Sequence, residues 1–264
     1  MVKRIFLIVL ALSVCSLPLL AGTLEERIEK ELDWPGGKVI EIKTTNGFID
    51  IQSWEQNKVR IEADIKIKSG SSKEAQELLH KVDIVTDKQE DRLVVYADYP
   101  HKQGGGLLDW IFSFSKPSVT VSFTVTLPGQ SDLRAHSVNG TVKVRGVTGQ
   151  IDLETTNGKL YAEDLASMTT ASTVNGSVKA RFNRIDNANT SRFRTTNGSI
   201  KIFIPTRADL DVNLSTVNGK IHTDFALKVN GGYGGKKIRG TINNGGNAEL
   251  TAKTVNGSID LIKY

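Results

Sequence analysis

Basic side chains recur at one position of a repeated sequence, where they could hold an anionic ligand. A lysine stands three residues after an Asn-Gly pair in three places, and two arginines occur close to this pattern; these residues are Lys143, Lys179, Lys201, Arg181 and Arg194. If the repeats stack, the cations form a stripe suited to an anionic glycan or another anionic envelope component. The alternative is a solvated face whose lysines keep the strands from aggregating. Nucleic acid is not an expected partner, because few aromatic residues accompany the cations.

Residue types used in catalysis and metal binding are present, but their spacing does not form a site. The histidines lie far apart and lack the spacing of metal ligands; they are His80, His101, His136 and His222. The outward carboxylates that a polysaccharide lyase or hydrolase would need fall in different repeats; they are Asp50, Asp152 and Asp260. A serine nucleophile elbow does not occur in the sequence. We therefore expect no enzymatic activity, no cofactor and no metal ion. A β-helix polysaccharide lyase or hydrolase is the alternative.

The composition of the chain is typical of a folded protein. Of its 264 residues, 39% are hydrophobic and 24% are charged. This balance excludes a disordered chain and is sufficient for a hydrophobic core. The single cysteine, Cys15, excludes a disulfide framework and a cysteine-rich zinc or iron–sulfur site. The net charge is +5, with an excess of carboxylates in residues 23–130 and an excess of cations in residues 131–264.

Residues 1–22 have the layout of a secretory signal peptide. A short basic start precedes an apolar run, and the small residues Ala21 and Gly22 end the segment. The apolar run is short for a membrane span, and a helical anchor is the alternative. Val14 stands where a lipoprotein signal has Gly or Ala, which argues against a lipid anchor on Cys15. We expect an extracytoplasmic protein in the periplasm, at the cell surface or secreted, without a transmembrane helix in the mature chain.

A four-residue core, [ST]-[TV]-N-G, occurs seven times in the sequence. Asn-Gly marks a sharp turn, because glycine adopts a left-handed backbone freely. Apolar residues at every second position after each turn predict a strand with one buried face. The last five intervals between the asparagines are 18, 18, 22, 21 and 38 residues, and we interpret the longest as two periods. The turn residues are Asn46, Gly47, Asn139, Gly140, Asn157, Gly158, Asn175, Gly176, Asn197, Gly198, Asn218, Gly219, Asn256 and Gly257.

Two architectures fit this repeat. Asn-Gly between alternating strands is a strong hairpin signal, which would give an antiparallel meander. The alternative is a β-solenoid, in which each coil lies on a copy of itself. Stacked coils favour identical turns, since the repeated asparagines and hydroxyls then form hydrogen-bonding columns. We therefore favour an all-β fold, a single-stranded β-helix with stacked coils of about 18–22 residues.

A single domain is expected over residues 23–264. Residues 23–130 keep strand character but lose the regular period, which is typical of a part that caps the open end of a solenoid. The regular repeat array follows over residues 131–264. Because the last repeat ends close to Tyr264, only the chain itself would cap that end of the array.

The N-terminal part contains several predicted elements. Period-2 alternation predicts strands over Lys58–Lys68 and Ser118–Pro128. Between them, residues 71–82 have the pattern of one short amphipathic helix. Residues 23–33 (TLEERIEKELD) are also predicted to be helical.

The most apolar segment after the signal peptide is GGGLLDWIFSFSKP, residues 104–117. It could be an apolar tip that touches a membrane or a partner. We favour the alternative, in which this segment folds over the end of the solenoid as a hydrophobic plug.

Repeated T-[TV]-N-G-x-[IV]-x-[VIL] units behind a signal peptide resemble the bacterial putative-adhesin domain family, whose function is uncharacterised. The segment VIEIKTTNGFIDIQSW is similar to the opening of that family, and the resemblance covers residues 37–264. It implies a β-helix-like solenoid, an extracytoplasmic location and a label of adhesion, without catalytic residues. The first hypothesis is therefore an exported, non-enzymatic solenoid that presents a partly basic face to the envelope or to an outside ligand. A structural envelope component without a ligand is a further possibility.

Overall fold

The computed structural model describes residues 23–99, 117–166, 169–185, 190–229, 236–246 and 248–264. The predicted signal peptide, with Cys15, and all but the last residue of the apolar segment 104–117 lie outside the described residues. One helix is described, α1 (Ser72–Leu79), and Ser71 caps it by accepting a hydrogen bond from the Glu74 backbone N–H at 3.2 Å. The described strands are β1 (Thr23–Asp33), β2 (Val39–Asn46), β3 (Ile49–Trp54), β4 (Lys58–Lys68), β5 (Asp83–Lys88), β6 (Arg92–Asp98), β7 (Ser118–Pro128), β8 (Asp132–Asn139), β9 (Val142–Arg145), β10 (Ile151–Asn157), β11 (Leu160–Leu165), β12 (Thr169–Asn175), β13 (Val178–Phe182), β14 (Thr190–Asn197), β15 (Ile200–Ile204), β16 (Leu210–Asn218), β17 (Ile221–Thr223), β18 (Lys228–Val229), β19 (Lys237–Ile242), β20 (Glu249–Asn256) and β21 (Ile259–Lys263).

The strands form two sheets, and each coil of the chain adds one strand to each sheet. The first sheet has the order β1-β4-β7-β3-β9-β11-β13-β15-β21-β17, and the second has the order β18-β19-β16-β20-β14-β12-β10-β8-β2-β6-β5. In a typical coil, β10 of the second sheet leads through the Asn157-Gly158 corner into β11 of the first sheet. Neighbouring coils are parallel and in register, with Asn157 opposite Asn139 and Asn175. The β-solenoid prediction is therefore confirmed, and the antiparallel meander is wrong.

Alternation along each strand places the core between the two sheets. In β10, Ile151 and Leu153 are buried, whereas Asp152 and Glu154 point to solvent. The same alternation recurs in the other stacked strands. Because the coils are in register, the outward residues of successive coils form straight rows across each outer face. These rows are the surfaces on which a ligand site can be built.

Close contact between coils explains why every repeat has glycine at its corner. A Cβ atom on Gly158 would lie 1.9 Å from the carbonyl oxygen of Gly140 in the adjacent coil. The corresponding distance to the neighbouring backbone carbonyl is 1.8–2.0 Å at all seven glycines of the repeat. A left-handed backbone is not the general reason for these glycines, since only Gly47 and Gly257 among them have positive φ. Steric exclusion of a side chain is the common requirement.

Hydrogen-bonded columns run through the corners. Asn157 Nδ2 donates to Asn139 Oδ1 at 2.8 Å, and the same contact joins all seven asparagines into one ladder. The buried Thr155 hydroxyl donates to the Gly140 carbonyl at 3.0 Å, and the equivalent hydroxyls of the other repeats also donate to a backbone carbonyl of the adjacent coil. The hydroxyls therefore stack in a column but bond to the neighbouring backbone rather than to each other.

The coils do not stack in the order in which they occur in the chain. The last coil, β20 and β21, lies between the coil of β14 and β15 and the coil of β16 and β17. Asn256 consequently bonds with Asn197 on one side and Asn218 on the other. The interpretation of the 38-residue interval as two periods is wrong, and so is the expectation that the last repeat forms the end of the array. The interval contains β18 and β19, and β19 pairs antiparallel with β16 at the edge of the second sheet.

The N-terminal part also contributes a coil to the stack. β2 and β3 form a coil with the Asn46-Gly47 corner, and it lies between the strand pair β6–β7 and the coil of β8 and β9. β4 and β1 extend the first sheet in antiparallel pairing, and α1 packs against both strands.

Residues 23–33 form the strand β1, so the helix predicted there is wrong. Leu24, Ile28 and Leu32 are spaced by four residues, which places them on one face of a helix. An even spacing also places them on one face of a strand, and burial of β1 follows that face. Pairing with β4 over all eleven residues decides between the two forms, because it satisfies the backbone groups of an otherwise open sheet edge.

We predict that Gly158→Ala lowers the free energy of unfolding by about 3 kcal/mol, because the new methyl group overlaps a backbone that is held by the corner hydrogen bonds. Urea denaturation followed by circular dichroism measures this change. Gly70→Ala is the matched control, since the nearest atom to its Cβ is 4.0 Å away, and it should change stability by less than about 1 kcal/mol. Equal effects of the two substitutions would contradict steric exclusion at the corner.

We predict that a chain ending at Gly246 loses its cooperative thermal transition. This truncation removes β20 and β21, and both neighbouring coils then lose one pairing partner in each sheet, which divides each sheet in two. In a stack that followed the chain order, the same truncation would remove only an outer coil and leave a cooperative melt at a lower temperature. Far-UV circular dichroism with temperature distinguishes these outcomes, and a sharp transition in the truncated chain would contradict the insertion of the last coil.

Candidate anion-binding site

Four of the five predicted basic residues lie on the outer face of the first sheet, namely Lys143, Lys179, Arg181 and Lys201. The three lysines share one row, in which Tyr161 separates the first two and Asp260 follows the third. The arginine lies in the next row, and its guanidinium carbon is 4.5 Å from the centroid of the Tyr264 ring. Stacking therefore places these four cations on one face.

Carboxylates on this face compensate much of the positive charge. A carboxylate oxygen of Asp50 is 4.0 Å from Lys143 Nζ. Glu163 accepts a hydrogen bond from Arg145 at 2.7 Å and lies 3.7 Å from Lys179 Nζ. The hydrogen bond from Arg145, together with the two nearby cations, lowers the pKa of Glu163 against the smaller effect of burial. The carboxylate therefore stays ionised at neutral pH, and the face carries mixed charge.

Arg194 lies on the outer face of the other sheet, so the five predicted residues do not form one surface. It belongs to β14, where its outward neighbours are Ser172 of β12 and Lys253 of β20. The reason is the path of each coil, which crosses from the second sheet to the first at the Asn-Gly corner. Arg194 precedes its corner, whereas the other four cations follow theirs.

A second group of cations, which we term the basic patch, surrounds Arg194. It consists of five exposed residues on three strands of the second sheet: Arg192, Arg194, Lys237, Arg239 and Lys253. Arg194 is directly beside Lys253 in the register, and β16 separates β20 from the two cations of β19. None of the five forms an ion pair with a carboxylate in the described part of the chain. No described carboxylate therefore lies within ion-pair distance of these cations.

Uncharged polar side chains lie between these cations, and we refer to them as the floor of the basic patch. Thr251 of β20 and Asn213 of β16 share the row of Arg192 and Arg239. Ser215 of β16 lies in the neighbouring row, between Lys253 and Lys237. All three floor residues are partly buried and point outward. The floor can therefore exchange hydrogen bonds with a ligand that the cations attract.

The basic patch has two contrasting borders. On the side away from the Asn-Gly corners the outward residues are Glu249 and Asp211, and a carboxylate oxygen of Asp211 accepts a hydrogen bond from Thr241 at 2.8 Å. On the corner side, Val217 and Val255 leave 53% and 39% of their surfaces exposed. A ligand on the patch consequently meets carboxylates along one border and apolar side chains along the other.

On β10, β8, β2 and β6, the outer face of the second sheet carries charges of both signs. The carboxylate of the buried Glu41 forms ion pairs with Lys43, at 2.5 Å, and with Arg92. His136 Nδ1 lies 3.4 Å from a carboxylate oxygen of Glu154. The basic patch on β14, β20 and β19 therefore lies beside the inserted last coil and away from these ion pairs.

Sequence reasoning missed Lys253, Lys237 and Arg239. Lys253 precedes its asparagine by three residues, as Arg194 does, but the two corners are 59 residues apart in the chain. Only the insertion of the last coil beside β14 makes them neighbours. Their equal distance from asparagine predicts that Arg194 and Lys253 share one row. It does not predict that their coils are adjacent.

The carboxylates considered for catalysis are not brought together. Asp50 and Asp260 lie at different positions of the lysine row on the first sheet, whereas Asp152 lies on the second sheet. Burial raises the pKa of Asp152, and the charge of Glu154 adds to this effect. Within the described ranges, no three histidine, cysteine or acidic side chains are placed to hold a metal ion. The described helix is too short and too polar to cross a membrane.

The part of the chain that carries the repeat matches a known protein family. Residues 37–262 match the family described as Toastrack DUF4097. None of the curated proteins matches the sequence. A solved structure described as a putative cell adhesion protein from Clostridium sporogenes is 11% identical, with a TM-score of 0.43 over 90% of this chain and 100% of its own. A putative adhesin from Bacteroides fragilis is 14% identical, with a TM-score of 0.42 over 89% and 97% of the two chains. A putative lipid binding protein from Parabacteroides distasonis is 11% identical, with a TM-score of 0.37 over 89% and 96%.

We predict that the pKa of Glu163, measured by NMR titration of its carboxyl group, lies below that of glutamate in an unfolded peptide and rises towards it in Arg145→Gln. The small stabilisation from this exposed pair is present above the unfolded-state pKa and is lost as the pH falls through the lowered pKa. Lys220→Gln removes a cation from a distant corner and should leave the pKa of Glu163 unchanged. If Arg145→Gln also leaves the pKa of Glu163 unchanged, the hydrogen bond from Arg145 is not the cause of the lowered pKa.

Proposed function

The chain belongs to the Toastrack family, and we propose that it is an exported, non-enzymatic binding module whose basic patch holds an anionic polymer of the cell envelope. The observation that carries this proposal is the set of five exposed cations without an ion-pair partner among the described carboxylates. Arg194 and Lys253 face each other across adjacent strands, and like charges in this position destabilise a sheet. A bound polyanion would relieve that repulsion.

The rigidity of the strands supports a binding function. The cations stand on β14, β19 and β20, whose register is set by hydrogen bonds to neighbouring strands. Their backbone positions are therefore fixed before a ligand arrives, which reduces the ordering cost of binding. The five cations are distributed over three strands of a four-strand span, so an extended polymer can contact more of them than a small molecule can.

The proposed export agrees with a polyanion as the ligand. Residues 1–22 combine a basic start, an apolar run and a small-residue end, as in a secretory signal peptide. An exported protein meets the anionic polymers of the envelope. Without Lys3 and Arg4 of the signal peptide, the net charge of +5 falls to +3, which still favours association with them. In this proposal, adhesion means attachment of the basic patch to such a polymer.

We predict that Arg192→Gln/Arg194→Gln weakens binding to polygalacturonate roughly 30-fold at low salt, since each cation near an anionic surface contributes about 1 kcal/mol. Biolayer interferometry with immobilised polymer measures the dissociation constant. The affinity of the unmodified protein should also fall steeply as salt is added.

Lys143→Gln/Lys179→Gln is the matched control for this prediction. It removes the same net charge from the first sheet, where Asp50 and Glu163 already lie within ion-pair distance of the two lysines. It should change the dissociation constant no more than about threefold, through the overall charge alone. Equal losses in both double variants would show attraction by net charge only, and no loss in either would contradict the proposed function.

A further inference from the structure

We propose that the basic patch takes an anionic polysaccharide in which charged sugars alternate with neutral ones, lying across the strands along the solenoid axis. This inference rests on the proposed function and deepens it by naming the class of ligand. Three features of the second sheet carry it: the spacing of the cations, the polar floor between them and the valine border.

The cations form two clusters that are separated along the solenoid axis. Arg192 and Arg194 lie on β14, and Lys237 and Arg239 lie three strands away on β19. With about 4.8 Å between neighbouring strands, β14 and β19 are about 14 Å apart. Lys253 on β20 belongs to the first cluster, so the gap between the two clusters is two strands, or about 10 Å. This spacing suits a polymer that carries its charges at intervals, with an uncharged unit between them.

The floor occupies the interval between the clusters and offers hydrogen bonds rather than charge. Ser215 presents a hydroxyl group and Asn213 presents a carboxamide. The Thr251 hydroxyl donates to Glu249 Oε1 at 3.3 Å and keeps its lone pairs as acceptors for a ligand. Asn213 Oδ1 is shielded from solvent and has no hydrogen-bond partner in the described structure. A rotation of the carboxamide would let this acceptor receive a hydrogen bond from a ligand hydroxyl, which removes the cost of an unpaired polar atom. Neutral sugars carry such hydroxyls, whereas polyphosphate does not.

The borders favour the same ligand. Val217 and Val255 expose apolar surface along the corner side of the floor, where the C–H faces of sugar rings can pack. Glu249 and Asp211 repel negative charge along the opposite side. A nucleic acid duplex carries one phosphate on each strand for about every 3.4 Å of its axis, and its closely spaced charges would lie over the uncharged floor without a cation to balance them. The face therefore selects spaced charges and hydroxyl groups together.

Binding of two probes to the full chain tests this inference. The first probe is a hyaluronate oligosaccharide, in which a carboxylate sugar alternates with a neutral one, and the second is inorganic polyphosphate. Asn213→Ala/Ser215→Ala should weaken hyaluronate binding about tenfold, because two hydrogen bonds to the ligand are lost. The same variant should leave polyphosphate binding within about twofold, since the cations are unchanged. Isothermal titration calorimetry measures both dissociation constants, and thermal melting confirms that the variant is folded.

Two further variants keep the outcome interpretable. If Asn213→Ala/Ser215→Ala does not fold, Thr251→Val removes one floor hydroxyl at nearly constant volume and should weaken hyaluronate binding about fivefold, again without an effect on polyphosphate. Arg192→Gln/Arg194→Gln should weaken binding of both probes. If this arginine variant weakens both and the floor variants weaken neither, or weaken both equally, the alternating glycan is wrong and the proposed function stands. If the arginine variant weakens neither, the proposed function itself fails.

Discussion

The fold depends on the contact between backbones at the Asn-Gly corners. Adjacent coils lie about 4.8 Å apart, and a Cβ atom at any corner glycine would come within 1.8–2.0 Å of the neighbouring carbonyl oxygen. The same carbonyls accept the buried threonine and serine hydroxyls, so the close contact leaves few polar groups unpaired. A slip by one residue would place asparagine where only glycine fits. The corner therefore sets the register of both sheets, and through it the rows on both outer faces.

Equivalent corners also permit an order of coils that differs from the order of the chain. The last coil carries the Asn-Gly corner that all seven repeats share, and its asparagine bonds to Asn197 at 2.8 Å and to Asn218 at 2.9 Å. Its insertion places Lys253 beside Arg194, and the antiparallel β19 adds two more cations at the edge of the second sheet. The basic patch thus results from the topology of the chain, because none of its strands carries more than two of the five cations.

Local periodicity made much of the fold predictable, but not the arrangement of its coils. The predicted strands over Lys58–Lys68 and Ser118–Pro128 have the bounds of β4 and β7. They could be predicted because the alternation of buried and exposed residues depends on the sequence of one strand alone. β1 could not be predicted in this way, since the spacing of its apolar residues suits a helix as well as a strand and only pairing with β4 decides. The basic patch was beyond prediction for a related reason. The repeat assigns Arg194 and Lys253 to one row, whereas their contact depends on which coil lies next to which.

Disulfide trapping between corners tests the order of the coils most directly. The Ser258 backbone N–H donates to Ser199 Oγ at 3.2 Å, which makes these residues neighbours across adjacent coils. Lys220 lies one coil further from Ser199 than Ser258 does. In a Cys15→Ser background, mild oxidation of Ser199→Cys/Ser258→Cys should form a disulfide, and Ser199→Cys/Lys220→Cys should stay reduced. A disulfide in the second pair and none in the first would show coils stacked in chain order, and would contradict both the inserted coil and the basic patch that depends on it.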